Sequence, residues 1–378
     1  MDLLALSEVR WSYFRTRKQF LLSRFPDRWR IFYAQPPGSG GSDGGDPWRP
    51  RREGNVTVFT VPFLKPSTRQ PLYNVIAATA PGRALIEHAA RAHLVRMLGT
   101  LGVAPEPVVL VSNIYAAAIL AGLKRRLTVY DFNDSPFQFA GSPGWARGYW
   151  TRTLAEVDLI FAVSEHYRRL LAAETTVPVV GLGNGVEFEH FAASSPAPAD
   201  LRDLPRPRIG YFGLLSHFMD FEVLEALRQA RGGGTLVLIG PGTPATDLQV
   251  RTLAVRGGVA VLGPKPYGEA PAYLQALDVG VIPFRARDSY VQGINPNKVY
   301  QYLASGLPVV TTPLLDLASA DPMLQYATDA ASFVAAVARA ISSGCRPEAC
   351  RALARPHDWG AIAQRMVTEI ERRMSAAA

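Results

Sequence analysis

A candidate anion site lies late in the chain, where a polar stretch runs into an amphipathic one. The sequence GINPNK, which ends at Lys298, follows a short apolar run and precedes a helical pattern. A helix that begins near Asn297 would present free backbone N–H groups and the positive end of its dipole to a ligand. Lys298, with Arg285 or Arg287, would add fixed positive charge. These groups predict a diphosphate site; a helix start that is capped and binds no ligand is the alternative.

Two carboxylates follow a predicted strand in the first half of the chain. The apolar run 127–130 ends directly before Asp131, with Asn133 and Asp134 just beyond. Carboxylates at the carboxyl end of a strand can bind an acceptor hydroxyl or take its proton. We therefore name Asp131 and Asp134 as candidate catalytic residues, with Asp131 ranked first, and Asn133 as an acceptor contact. The alternative is a turn, because Asp before Ser-Pro often serves only as a cap.

Two further strand-to-helix turns contain residues that could contact a ligand. Arg15 and Arg17 lie near the first strand-to-helix turn and could clamp an acidic or phosphorylated acceptor, or belong to a solvated helix start. Gly213 follows the apolar run 208–212, and a glycine there would let the backbone approach a ligand closely. Neither a G-x-G-x-x-G fingerprint nor a P-loop is present in the sequence. The Gly213 turn therefore predicts a ligand only in combination with other residues.

Composition excludes several classes of protein. The 378 residues carry a net charge of +8, and residues 1–126 alone hold 18 Lys and Arg against 8 Asp and Glu. No apolar run is long enough to span a bilayer, and two cysteines cannot build a disulfide framework, so we expect a cytoplasmic protein. No D-x-D motif or cluster of histidines occurs, so we expect no metal. The basic residues follow no nucleic-acid-binding pattern.

The elements that must position these residues alternate between short apolar strands and amphipathic helices, which indicates parallel sheets with crossover helices. The length favours two domains, and the proline-rich stretch 192–207 is typical of a linker between them. The predicted strands are 3–6, 30–33, 56–61, 108–111, 127–130, 159–163, 177–180, 208–212, 235–239, 259–262, 279–282 and 308–311.

Several longer segments, in this order, resemble bacterial GT-B-fold glycosyltransferases of the retaining group 1 type. The resemblance covers nearly the whole chain. The segments that carry it are FRTRKQFLLSRF (14–25), RIFYAQPP (30–37), VSEHYRRLL (163–171), LGNGVEFEHF (182–191), RIGYFGLLS (208–216), LGPKPYGEAPAYLQALDVGVIPF (262–284), NPNKVYQYLASGLPVVTTP (295–313) and HDWGAIAQRM (357–366).

The resemblance implies an α/β protein with two doubly wound Rossmann-like domains that face a cleft. The acceptor domain would span residues 1–191, the linker 192–207 and the nucleotide-sugar domain 208–356, and residues 357–378 would form a terminal helix that returns to the first domain. The linker and this helix would together form a hinge. The implied activity is metal-independent transfer of a sugar, as in a hexosyltransferase, from a nucleoside diphosphate sugar, for which we expect a UDP-sugar.

Individual donor-site residues carry over from the same resemblance. Gly213 matches the glycine whose backbone lies against the diphosphate, and Gln301 matches a glutamate that binds the ribose. The loop near the distal phosphate corresponds to Asn295, Pro296 and Asn297. The loop that frames the base corresponds to Leu262 and Gly263.

The sequence departs from the family where two glutamates usually stand eight residues apart. Gly293 and Gln301 occupy these positions, so both carboxylates are missing. A glutamine can still donate to and accept from a ribose diol. The departure keeps two alternatives open, a GT-B-fold sugar-nucleotide epimerase and a GT-B-like subunit that binds without catalysis.

The partners expected of a transferase are a nucleotide-sugar donor and an acceptor that is a glycolipid, a polysaccharide precursor or another glycan. No cofactor beyond the donor substrate is expected. The basic first third of the chain adds a peripheral contact with an anionic membrane, at the inner face of the membrane. Nucleic acid is not expected as a partner.

Overall fold

The computed structural model describes residues 1–13, 15–38, 46, 48–64, 70–137, 142–314 and 321–376. The chain divides into two compact units. Unit 1 consists of Met1–Leu182 together with Ala363–Ala378, and unit 2 consists of Gly183–Ile362.

Unit 1 is built on a parallel sheet with one antiparallel edge. Its strands follow the spatial order β3-β4-β2-β1-β5-β6-β7-β8, and only the pairing of β3 with β4 is antiparallel among the described strands. Most of these strands are buried along their length, as expected where helices cover both faces. The strands are β1 (Asp2–Leu6), β2 (Arg30–Gln35), β3 (Arg51–Glu53), β4 (Val56–Thr60), β5 (Val108–Val111), β6 (Leu127–Phe132), β7 (Leu159–Ala162) and β8 (Val179–Gly181).

Helices connect these strands in the crossover pattern that parallel pairing requires. Local sequence sets their starts: the Ser164 hydroxyl, for example, accepts a hydrogen bond from the backbone N–H of Tyr167 at 3.2 Å and caps the helix that follows β7. The helices are α1 (Arg17–Leu22), α2 (Pro71–Ala78), α3 (Ala80–Thr100), α4 (Ala117–Leu120), α5 (Ala146–Ala155) and α6 (Glu165–Glu174).

Unit 2 contains a second sheet, parallel throughout its described strands, in the order β11-β10-β9-β12-β13-β14. Glycines within two strands allow close packing: a Cβ at Gly280 would lie 2.4 Å from the ring of Tyr302, and one at Gly210 would lie 2.2 Å from Leu277. The strands are β9 (Arg208–Phe212), β10 (Thr235–Ile239), β11 (Val259–Gly263), β12 (Val279–Ile282), β13 (Val309–Thr311) and β14 (Leu324–Tyr326).

The helices of unit 2 surround this sheet, and the last helix of the chain passes into unit 1. Residues Trp359 to Ile362 of that helix belong to unit 2, whereas its remainder belongs to unit 1. The helices are α7 (Phe188–Ala192), α8 (Ala199–Arg202), α9 (Phe221–Gln229), α10 (Asp247–Val255), α11 (Ala270–Gln275), α12 (Ser289–Gly293), α13 (Asn297–Ala304), α14 (Ala330–Ser342), α15 (Pro347–Ala354) and α16 (Trp359–Ala376).

The sequence-based architecture of two parallel-sheet, Rossmann-like domains is confirmed. The first division between units falls at Leu182 and Gly183, nine residues before the end of the predicted first domain at residue 191. The stretch predicted as a linker belongs to unit 2 and contains the short helix α8.

Candidate active site

Three glycines lie at the carboxyl ends of three adjacent strands of unit 2. Gly213 follows β9, Gly240 follows β10 and Gly263 ends β11, and all three have positive φ values of +146°, +138° and +66°. The backbone N–H of Gly240 donates to the carbonyl of Gly263 at 2.8 Å, and a Cβ at Gly240 would lie 2.0 Å from the carbonyl oxygen of Gly213. A side chain is therefore excluded at Gly240 and disfavoured by the positive φ at Gly213 and Gly263, so main-chain atoms are prominent at this end of the sheet.

Lys298 lies directly against this glycine surface. A Cβ at Gly213 would come within 2.1 Å of Lys298 Cε and 2.9 Å of its Nζ. Burial lowers the pKa of Lys298 to about 8, because the ammonium group has lost part of its hydration. Its ammonium also lies 5.8 Å from the centroid of the Tyr211 ring. No carboxylate pairs with Lys298 among the described residues, so an anion brought to Gly213 would meet an uncompensated positive charge.

Helix α13 holds Lys298 in this position. The apolar face of the helix is buried, and Tyr302 anchors it: the Tyr302 hydroxyl accepts from the backbone N–H of Phe212 at 2.6 Å and donates to the Phe212 carbonyl at 3.1 Å. No acidic side chain occupies the first turn of the helix, which begins at Asn297 after Pro296. The helix start and Lys298 thus contribute positive potential at the same end of β9.

Asn295 performs a structural task that the sequence did not indicate. It is buried, and its side-chain oxygen accepts from Tyr300 at 3.0 Å and from the backbone N–H of Asn184 at 3.2 Å. Its carbonyl accepts from the Asn184 side chain at 2.8 Å. Asn295 therefore fixes the loop before α13 to the loop around Asn184, and the predicted contact with the distal phosphate stays a prediction.

The other predicted donor-side residues have more exposed surroundings. Leu262 is partly buried against the core of unit 2, and Gln301 is partly buried one turn after Lys298 on α13. The side chain of Arg285 is exposed, while its backbone N–H donates to the Phe218 carbonyl at 2.8 Å. The structure thus brings Gly213, Gly263 and Lys298 together through their strand and helix ends, and places Arg285 at the surface.

Unit 1 has its own polar pocket, at the carboxyl ends of β1, β5 and β6. Arg17 Nε donates to both carboxylate oxygens of Asp131, at 2.9 and 3.1 Å, and the two side chains are only 3% and 1% exposed. Asp131 is therefore committed to Arg17, which holds the start of α1 against the end of β6. Arg15 is exposed and is not part of the pocket lining.

A second ion pair closes the other side of this pocket. Lys18 pairs with Glu8, and the Ser112 hydroxyl donates to the second oxygen of Glu8 at 2.8 Å. Asn133 donates to Asp134 at 2.6 Å. Glu8 and Ser112 were not singled out from the sequence; the signal that could have found them is their position directly after β1 and β5.

Asp134 differs electrostatically from Asp131. Burial raises the pKa of Asp134, and the hydrogen bond from Asn133 and the charge of Lys18 oppose that rise only in part. No ion pair reaches Asp134 within the part of the chain that the structure describes. A carboxylate with a raised pKa is better suited to accept a proton from a hydroxyl than one fixed in an ion pair. The geometry therefore favours Asp134 as the candidate base, the reverse of the order predicted from the sequence.

Neither a metal site nor a membrane-spanning helix is present among the described residues. No group of three or more His, Cys, Asp or Glu side chains is arranged to hold a metal ion. No helix in the described ranges has the length and apolar character needed to cross a bilayer.

Comparison with known proteins connects this geometry to sugar transfer. Residues 206–343 match the model of the family "Glycosyl transferases group 1". A curated relative, the "Putative teichuronic acid biosynthesis glycosyltransferase TuaH" of Bacillus subtilis (strain 168), is 25% identical over 225 residues, which cover 56% of each chain. The chain thus spans little more than half the length of that relative.

Solved structures match over nearly the full chain. The α,α-trehalose-phosphate synthase (UDP-forming) of Burkholderia vietnamiensis has a TM-score of 0.69 at 17% identity, with coverage of 100% of this chain and 99% of that one. Anabaena Alr3699/HepE in complex with UDP has a TM-score of 0.65 at 16% identity, with coverage of 98% and 100%. The resemblance found in the sequence is thereby confirmed: the chain has the GT-B fold, is similar to glycosyltransferases, and contains a region, residues 206–343, that matches their group 1 family.

Proposed function

We propose that this chain transfers a sugar from a nucleoside diphosphate sugar, specifically a UDP-sugar, to a hydroxyl of an acceptor. Support for UDP comes from the similar Anabaena protein, whose structures contain UDP and, in another case, UDP-glucose. The name of the Bacillus relative supports an acceptor in polysaccharide biosynthesis, such as a polysaccharide precursor or glycolipid.

The observation that carries the proposal is the contact between Lys298 and Gly213. A lysine with a lowered pKa, no carboxylate partner among the described residues and a position beside prominent main-chain atoms is suited to a diphosphate. A bound diphosphate would stabilise the charged form of Lys298, since an adjacent anion favours the ammonium. The first turn of α13 adds its dipole to the same position.

The proposed reaction requires a group that stabilises the leaving diphosphate and a base that accepts the proton of the acceptor hydroxyl. The bond between the anomeric carbon and the diphosphate oxygen breaks, and the diphosphate leaves with the bonding electrons. The acceptor oxygen bonds to the anomeric carbon, and its proton passes to a base, for which we propose Asp134. Lys298 and the start of α13 stabilise the charge on the leaving diphosphate, so we propose that no metal or additional cofactor is required.

A thermal-shift screen of nucleoside diphosphates and their sugars tests the donor site, because a ligand that binds the native state raises its melting temperature. We expect UDP and UDP-sugars to stabilise the chain. In a transfer assay with a glycan acceptor, we expect UDP release to continue when a metal chelator is added. Absence of stabilisation by every nucleotide would favour a non-catalytic subunit, and loss of transfer in a chelator would contradict the metal-free reaction.

We also propose that unit 1 contacts an anionic membrane through helices α2 and α3. Leu72 and Val75 on α2 and Leu85 on α3 are 75%, 66% and 67% exposed, and α2 contains no charged residue. The only carboxylate in these helices, Glu87, is half-buried and accepts a hydrogen bond from Tyr149. An exposed apolar surface that carries arginines and no exposed carboxylate suits a bilayer with anionic headgroups.

Sedimentation with vesicles of phosphatidylcholine, with and without phosphatidylglycerol, tests this contact. We expect binding that requires phosphatidylglycerol, weakens with salt and is lost in a Leu72→Ser, Val75→Ser double variant. Leu248→Ser is the matched control, because Leu248 is 77% exposed in unit 2. Equal binding by the double variant and the control would contradict the proposal.

A further inference from the structure

The charges around the pocket of unit 1 almost cancel. The pocket has a volume of about 130 Å³, and five acidic or basic side chains line it. Two are basic, Arg17 and Lys18, and three are acidic, Glu8, Asp131 and Asp134. The lining therefore has a formal charge of −1, and protonation of Asp134 would make it neutral. In neither state does the pocket present net positive charge to a ligand.

Both basic side chains are already bound to carboxylates. Arg17 is held by Asp131 in a pair with almost no solvent exposure, and the side chain of Lys18, 10% exposed, is paired with Glu8. Breaking a buried ion pair to free one partner leaves the other charge buried without compensation, which is strongly unfavourable. A phosphate or carboxylate ligand would meet basic groups whose charges these carboxylates already compensate, and it would also lie beside Asp134.

The remaining polar atoms are suited to hydroxyl groups. The Asp134 carboxylate can accept hydrogen bonds from hydroxyls, the Ser112 hydroxyl can accept while it donates to Glu8, and the Asn133 amide can both donate and accept. A sugar hydroxyl does both as well, so it can join such a network without introducing charge. The volume is below the range usual for drug-sized ligands, which indicates a single ring or one end of a longer acceptor.

We propose that this pocket binds an uncharged, hydroxyl-rich acceptor group, a neutral sugar ring, and discriminates against a phosphorylated or acidic one. The proposal rests on the proposed function, because it describes the acceptor of that transfer. In this proposal Glu8 and Lys18 determine specificity, because Glu8 compensates the lysine charge that could otherwise attract an anion. Asp134 provides the repulsion and the hydrogen bond to the reacting hydroxyl.

Ligand-observed NMR on the full chain, with UDP present, tests the acceptor class. The probes are the methyl glycosides of glucose, galactose and N-acetylglucosamine, each compared with its own 6-phosphate. We expect at least one neutral glycoside to bind about tenfold more tightly than its phosphate, a difference of about 1.4 kcal/mol. Asp134→Asn should reduce the preference for the neutral glycoside, because it removes the repulsion between Asp134 and the phosphate. Glu8→Gln should reduce the same preference independently, because Lys18 would lose its carboxylate partner.

Glu106→Gln is the matched control, because it removes one negative charge from an exposed position of unit 1 and should leave the ratio unchanged. Tighter binding of the phosphates by the unaltered chain, or failure of every neutral glycoside to bind, would overturn the proposal. An unchanged ratio in both pocket variants would overturn the assignment of these residues. Failure to bind UDP would instead refute the proposed function, so the two failures are distinguishable.

Discussion

Lys298 is the residue on which the proposed donor site depends most directly. Its ammonium lies against Gly213 and has no ion-pair partner among the described residues. Lys298→Ala should remove a charged hydrogen bond of about 1.5 to 3 kcal/mol and weaken UDP binding about ten- to a hundredfold. Isothermal titration with UDP measures this loss. Lys124→Ala, which removes a lysine from an exposed position of unit 1, is the control and should retain affinity.

The lowered pKa of Lys298 predicts the direction of the pH dependence. With a pKa of about 8 in the free protein, the ammonium form falls about tenfold between pH 7 and pH 9, and UDP affinity should fall with it. Above pH 8 the unfolded chain binds the extra proton, because its lysines titrate near 10.4, so stability of the ligand-free protein should rise there. UDP titrations and unfolding measurements at several pH values check the two predictions. If UDP affinity of the Lys298→Ala variant depended on pH as strongly as that of the native chain, the assignment would be contradicted.

Gln301 is one of two positions at which the sequence departs from the group 1 glycosyltransferases that it resembles. Gln301→Glu should preserve or tighten UDP binding if the side chain faces the ribose, because a carboxylate accepts hydrogen bonds from both hydroxyls. Titration with UDP measures the change, and Gln364→Glu on α16 is a control outside unit 2. A structure with bound nucleotide in which Gln301 points to solvent would rule out this role.

Single residues were predictable from the sequence where neighbours along the chain defined their surroundings. Lys298 and Asn297 could be placed at a helix start because an apolar strand and an amphipathic pattern flank them. The Arg17–Asp131 pair could not be foreseen, since 114 residues separate its members and only the pairing of distant strands brings them together. Glu8 was overlooked because its role depends on Lys18 and Ser112, which no local pattern connects to it.

The turn that follows β10 determines whether the glycine surface of unit 2 can form. Gly240→Ala should be strongly destabilising, because its φ is +138° and the new Cβ would lie 2.0 Å from the carbonyl oxygen of Gly213. Backbone strain of about 1 to 3 kcal/mol is expected before any rearrangement. The melting temperature and the affinity for UDP should both fall. Gly242→Ala, two residues on with no atom within 4 Å of its Cβ and no positive φ, should behave as the native chain.

Elements were predictable in proportion to their apolar content. Every predicted strand overlaps an observed one, because parallel strands buried on both faces have nearly continuous apolar sequences. The strands that were missed lie at the sheet edges: β3 reads RRE and pairs antiparallel, and β14 is the short segment LQY. Helix α2 was also missed, since most of its residues are exposed and its apolar residues follow no buried face.

The whole chain depends on its last helix to complete unit 1. Glu371 accepts hydrogen bonds from Arg28, at 2.9 and 3.0 Å from two guanidinium nitrogens, and from the indole of Trp29 at 3.3 Å, while Met366 and Ile370 are fully buried. A chain that ends at Asp358 should therefore lose stability in unit 1. Calorimetry should show a lower-melting transition for unit 1. Unchanged melting would contradict the structural role of α16.

A single substitution in α16 tests its packing against unit 1 without removing the helix. Ile370→Ala should cost about 2 to 5 kcal/mol, because it leaves a cavity at a fully buried position. Ser375→Ala, at an exposed position of the same helix, is the control. Hydrogen exchange that rises in residues 1–182 only for Ile370→Ala would support the assignment, and equal exchange in both variants would count against it.

The division of unit 1 between the two ends of the sequence has a consequence for synthesis on the ribosome. Residues 183 to 362, which are 180 residues of unit 2, are translated between the two parts of unit 1. At about 5 to 20 residues per second, this takes about 10 to 40 s. During that interval the nascent first part has emerged without the helix that covers Trp29. The partly built domain is then a natural client for chaperones, even though it was the first to leave the ribosome.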